Sequence, residues 1–105
     1  MLTVYGTPIC KDTLATKVIF GQKEVEYQLI NITENTTILK DFLKMRDTEP
    51  VFESKRGNLA IGIPLFVKDG IMTFDINEAL SWEGKTPVPQ IEWESLVAEC
   101  ELICK

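Results

Sequence analysis

The chain has 105 residues, 45% hydrophobic and 26% charged, the proportions of a single globular domain. Sixteen acids against eleven bases leave a formal charge of −5, which argues against a nucleic-acid ligand. Histidine is absent, which excludes Ser-His and Cys-His catalytic pairs and imidazole zinc sites; three cysteines are too few for a four-cysteine metal centre.

Met1 to Tyr5 opens directly into a strand pattern with no basic leader, and Leu2–Tyr5 is short, apolar and β-rich before Gly6 and Pro8. From Lys11 the period becomes helical: Leu14, Ala15, Val18 and Ile19 form a face, with Gly21 as the stop. Glu24–Ile30 alternates, with Val25, Tyr27 and Leu29 on one side, which predicts a second strand. Asn35-Thr36-Thr37 supplies N-cap candidates for a helix bearing Ile38, Leu39, Phe42 and Leu43, which ends before Pro50. Two N-glycosylation patterns, Asn31-Ile32-Thr33 and Asn35-Thr36-Thr37, read better as turn and cap residues.

Residues 47–61 read as a loop with one helical turn near Phe52. Ile63–Val67 is a strand opening at Pro64, Asp69-Gly70 is a hairpin signal, and Ile71–Phe74 returns antiparallel. Asp75 caps a short helix carrying Ile76, Ala79 and Leu80, with Glu78 placed for a capping box. Residues 84–90, with Pro87 and Pro89, form a linker. Beyond it Trp93, Leu96, Val97, Cys100, Ile103 and Cys104 make one apolar stripe of a last helix, with Trp82 and Trp93 pinning it.

The expected fold is therefore α/β: a domain over residues 1–83 with a mixed four-stranded sheet, and residues 84–105 as linker and C-terminal helix packed on the same domain. Pattern alone leaves open which strand lies beside the first. No segment is long and apolar enough to span a bilayer; Asn58–Val67, broken by Gly62 and Pro64, is too short. A cytoplasmic protein with reduced cysteines and no membrane partner is the expectation.

Cys10 is the residue most suggestive of chemistry. It sits between the first strand and the first helical turn, where free amides and the positive end of the helix dipole stabilise a thiolate over a thiol. Lys11 adjoins it, and Thr13 lies in the first turn, where its hydroxyl could donate to the sulfur. Cys100 and Cys104, four apart on the apolar stripe, read as core filler rather than as a resolving pair or soft-metal ligands. Lys40, Lys44, Arg46, Lys55 and Arg56 form one basic concentration, either an anion-binding wall or, given the interspersed acids, a solvated face.

Tyr5-Gly6-Thr7-Pro8-Ile9-Cys10-Lys11-Asp12-Thr13, followed some fifty residues later by Ile63-Pro64 opening a strand, resembles the glutaredoxins of the thioredoxin superfamily. The resemblance covers residues 1–83 and implies a thioredoxin-like fold, strand order 2-1-3-4, a cis Ile63–Pro64 bond, and a reactive Cys10 near that proline. It further implies that the backbone of Ile63 pairs with a glutathione or peptide substrate, and that Asp75 supplies one contact to it. The chain departs from the family in three places. Thr13 stands where dithiol members have a second cysteine, Thr7 replaces a lysine, and Phe74-Asp75-Ile76-Asn77 replaces a Gly-Gly-x-Asp-Asp turn.

Together these features predict a monothiol thiol–disulfide oxidoreductase or deglutathionylase. Cys10 and Thr13 are its catalytic residues, and Lys11, Ile63, Pro64 and Asp75 bind the substrate. Glutathione is the expected co-substrate, with no bound metal or organic cofactor; the partners are glutathione or protein thiols, and the protein acts as a monomer. The alternatives are a non-catalytic binding module of the same fold and a glutathione-dependent iron–sulfur carrier.

Overall fold

The computed structural model describes residues 1–103. Cys104, expected to extend the apolar stripe of the last helix, lies outside them. In chain order the elements are β1 (Leu2–Gly6), α1 (Lys11–Gln22), β2 (Tyr27–Asn31), α2 (Thr36–Thr48), a 3-10 turn (Pro50–Ser54), β3 (Leu65–Lys68), β4 (Ile71–Thr73), α3 (Ile76–Trp82) and α4 (Gln90–Ile103). The sheet is mixed and four-stranded in the order β2-β1-β3-β4. β1 runs parallel to β2 and antiparallel to β3, and β3 pairs antiparallel with β4. The strand beside β1, which patterning could not assign, is thus β3.

Strand alternation feeds two cores, one on each face of the sheet. Leu2, Val4 and Phe66 point to one face, where Ile19 and Phe20 of α1 and Ala79 and Leu80 of α3 cover them. Tyr27, Leu29, Trp82, Trp93 and Leu96 close the edges of that core. Leu65 points to the other face and meets Phe42 of α2 and Phe52 of the 3-10 turn, with Tyr5 and Val67 alongside. Phe42 and Phe52 meet edge to face, their ring centroids 5.6 Å apart, in the favourable geometry of an aromatic pair.

Several local expectations shift. The buried face of α1 is rotated by about one position. Thr13, Ala15, Thr16, Ile19 and Phe20 are buried, whereas Val18 is 40% exposed. Phe20 buries the largest apolar side chain of the helix and holds it against Tyr27 and Phe66, with centroids 5.1 and 5.8 Å away. Thr16 can be buried because its hydroxyl donates to the Asp12 carbonyl at 2.8 Å. Gly21 does not stop the helix, which continues to Gln22 and exits through Glu24 at φ 56°. β2 and β3 begin later than expected, at Tyr27 and Leu65. The hairpin signal holds: Asp69 and Gly70 both have positive φ, as a primed two-residue turn requires.

Asn35 caps α2 by accepting from the Ile38 amide at 2.9 Å. Asp75 caps α3 by accepting from the Asn77 amide, but its own amide donates to Thr73 Oγ1, so the Glu78 arm of the expected capping box is not made. Among the described residues no helix is long and apolar enough to cross a membrane.

Two side chains fasten the linker, Asn77 with two bonds and Lys23 with one. Asn77 Oδ1 accepts from the Val88 amide at 2.8 Å and Asn77 Nδ2 donates to the Val88 carbonyl at 3.3 Å, fixing buried Val88 against the core. Lys23 Nζ adds a bond to Thr86 Oγ1 at 2.8 Å. From this anchor α4 turns back onto α1. Asn77→Ala leaves both polar groups of Val88 without their partner and should cost about 1–3 kcal/mol, read as a lower urea midpoint at unchanged slope.

Candidate functional site

The candidate site grows from the pairing of β1 with β3, in which Tyr5 lies opposite Leu65. That register sets the chain leaving β1, residues 7–10, beside the chain entering β3, residues 61–64. The first of these segments is a tight turn: the Cys10 amide donates to the Thr7 carbonyl at 3.0 Å, and the Leu14 amide to the Cys10 carbonyl at 3.1 Å. Cys10 is consequently the N-cap of α1, with extended backbone (φ −102°, ψ 122°), and its side chain makes no capping bond. The sulfur is half-buried at the head of the helix, as the position of Pro8 and the start of the helical period predicted.

Thr13 takes a different role from the one expected. It is wholly buried, and its hydroxyl oxygen accepts from the Thr7 amide at 3.4 Å. Among the described residues no hydrogen bond joins it to Cys10. A Cβ on Gly6 would lie 2.6 Å from that same oxygen, so the absence of a side chain at Gly6 lets α1 seat this close to β1. Thr13 therefore holds the Cys10 turn from beneath. Thr7 in turn shares a hydroxyl–hydroxyl hydrogen bond of 2.8 Å with Thr33, which is tied to Asn31 Oδ1.

The opposite wall is the stretch from Leu59 to Pro64. The Ile63–Pro64 peptide bond is cis, in agreement with the resemblance. Gly62 adopts φ +94°, a conformation glycine accepts freely, and a Cβ there would stand 2.5 Å from Phe52 Cε1. Arg46 holds this wall from behind: its guanidinium donates to the carbonyls of Lys55, Ala60 and Ile61 at 2.6, 2.8 and 3.2 Å. Arg56 similarly donates to the carbonyls of Arg46 and Glu49. Among the described residues neither the amide nor the carbonyl of Ile63 has a backbone partner.

A cleft of about 790 Å³ opens between these walls. Of the sequence-predicted residues, Cys10, Lys11, Ile63, Pro64 and Asp75 line it, and Thr13 does not. Asp75 is exposed and commits one oxygen to the cap of α3. Of the five basic residues considered as an anion-binding wall, only Lys55 lines the cleft, its ammonium 4.9 Å above the Phe74 ring. The two arginines are instead bound to backbone carbonyls.

Sequence reading missed the side of the cleft built by the linker and α4. Val88, Trp93 and Glu101 line it, and Glu101 pairs with Lys11 at 3.7 Å. No periodicity signals this, because it depends on the angle at which α4 crosses α1. Cys100 is buried and does not line the cleft. Among the described residues no group of three or more His, Cys, Asp or Glu side chains is arranged to hold a metal.

No protein-family model matches the chain, and no curated protein matches it.

Because three carbonyls of the 55–61 wall depend on one guanidinium, Arg46→Met should cost about 1.5–3 kcal/mol and speed amide exchange at Ile61 and Gly62. Exchange rates there equal to those of the parent protein would show that the wall stands without Arg46.

Proposed function

We propose that this chain is a glutaredoxin-like, monothiol thiol–disulfide exchange protein of the thioredoxin-like fold, with Cys10 as its nucleophile. One observation carries the reading: the uncapped sulfur of Cys10 and the unpartnered peptide groups of Ile63 border the same cleft. A substrate disulfide lying along residues 61–63 would have its backbone aligned by Ile63, whose amide donates and whose carbonyl accepts. Pro64 forms the floor at that point.

The chemistry is a displacement. The Cys10 thiolate attacks one sulfur of a disulfide, the bond between the two substrate sulfurs breaks, and the departing sulfur leaves as a thiolate. Thr13 occupies the position three residues on, so the mixed disulfide on Cys10 persists until an external thiol, such as glutathione, displaces it. Such turnover suits a reducing compartment, the cytoplasm above all.

The test is intact-mass analysis of the native protein in excess 2-hydroxyethyl disulfide. Peptide mapping should locate an adduct on Cys10 that stays until thiol is added and is lost in Cys10→Ser. Buried Cys100 should react only after unfolding. A native protein that takes no adduct on Cys10, or that reacts equally fast at Cys100, would overturn the reading.

A further inference from the structure

Resting on the exchange reading of Cys10, the walls of the cleft also select a class of substrate. Three carboxylates (Asp12, Asp75 and Glu101) and two ammonium groups (Lys11 and Lys55) line it, so it is net negative. One of those ammonium groups is already engaged, since Lys11 faces Glu101 at 3.7 Å, while Asp12 and Asp75 form no ion pair among the described residues. The whole chain, at −5, has the same sign. Glutathione carries two carboxylates and one ammonium per molecule, and its disulfide twice that. Its approach to this site is therefore opposed, whereas a cationic partner is drawn in.

The rim adds an apolar requirement. Ile9, Leu59 and Ile61 border the cleft and are 73%, 102% and 55% exposed. Glutathione offers little hydrocarbon to cover them. An extended polypeptide running along Ile63 would set apolar side chains beside its cysteine against this rim, and burying such surface is favourable by roughly 25 cal/mol per Å².

We propose that the preferred substrate of Cys10 is a disulfide-bonded cysteine in an extended polypeptide segment, apolar on either side of the cysteine and carrying basic residues, rather than glutathione disulfide. The exchange balances within itself. A sulfur–sulfur bond forms between Cys10 and the polypeptide cysteine, whose original disulfide bond breaks. Cys10 is oxidised from thiolate to disulfide, and the departing sulfur is reduced and carries away the electron pair.

Four probes test this on the full chain, each as its mixed disulfide with 2-mercaptoethanol: glutathione and the end-blocked pentapeptides Lys-Val-Cys-Val-Lys, Glu-Val-Cys-Val-Glu and Lys-Ser-Cys-Ser-Lys. Rates of probe addition to Cys10 are read as the added mass seen in the parent and not in Cys10→Ser, and normalised to those with a neutral model thiol. The lysine–valine peptide should react about tenfold faster than glutathione at low salt, with the gap narrowing as salt is raised, and the other two peptides should be slower than it. In the Leu59→Ser/Ile61→Ser double variant, checked for an unchanged circular dichroism spectrum, its rate should fall to that of the lysine–serine peptide. Glutathione at parity or ahead, or valine and serine peptides reacting alike, overturns the proposal and leaves exchange at Cys10 standing. No adduct from any probe removes both.

Discussion

The pairing of Tyr5 with Leu65 is the constraint on which the site depends. β1 ends at Gly6, directly before the turn of residues 7–10 that delivers Cys10, and β3 begins just after the cis Ile63–Pro64 step. An antiparallel ladder in this register brings those two ends together without any direct bond between them. A slip by one residue would send Leu65 and Phe66 to the wrong faces and dismantle both cores, so the geometry of the cleft is enforced by the burial of large side chains on either side of the sheet. The geometry of the candidate site and the stability of the fold are here the same constraint.

Around this pairing the molecule builds supports that do not touch the sulfur. Thr13 fits under Gly6 and accepts from the Thr7 amide. Arg46 gathers three carbonyls of the facing wall, and Gly62 lies against Phe52 where a side chain would collide. Asn77 fixes Val88, and with it the start of the helix whose Glu101 reaches Lys11. The result is a half-buried cysteine whose side chain makes no capping bond, bordering the same cleft as peptide groups of Ile63 that have no backbone partner among the described residues.

Local chemistry made parts of this legible in the sequence. Pro8 and the onset of helical spacing marked Cys10 as the head of α1; Asn35, Asp75 and the Asp69-Gly70 pair announced their caps and turn, because each signal involves residues a few positions apart. Element order and the mixed sheet followed from the same patterns. The apposition of Cys10 and Ile63, by contrast, is a long-range matter of strand register and was suggested only by resemblance. The face of α1 was misjudged because buried threonines look polar until their bonds to nearby backbone are seen. Glu101 and Arg46 carry charges that suggest solvent. Their roles arise from how α4 crosses α1 and from how the 55–61 segment folds over α2.

The central claim is that Cys10 and the backbone of Ile63 act as one exchange site. Its most direct test is the hydrogen-exchange rate of the Ile63 amide, measured by NMR in the free protein and after Cys10 has formed a mixed disulfide with an extended peptide. The account predicts marked slowing of that amide on adduct formation, since the peptide backbone then occupies its open hydrogen-bonding positions. An Ile63 amide that exchanges equally fast in both states would contradict it.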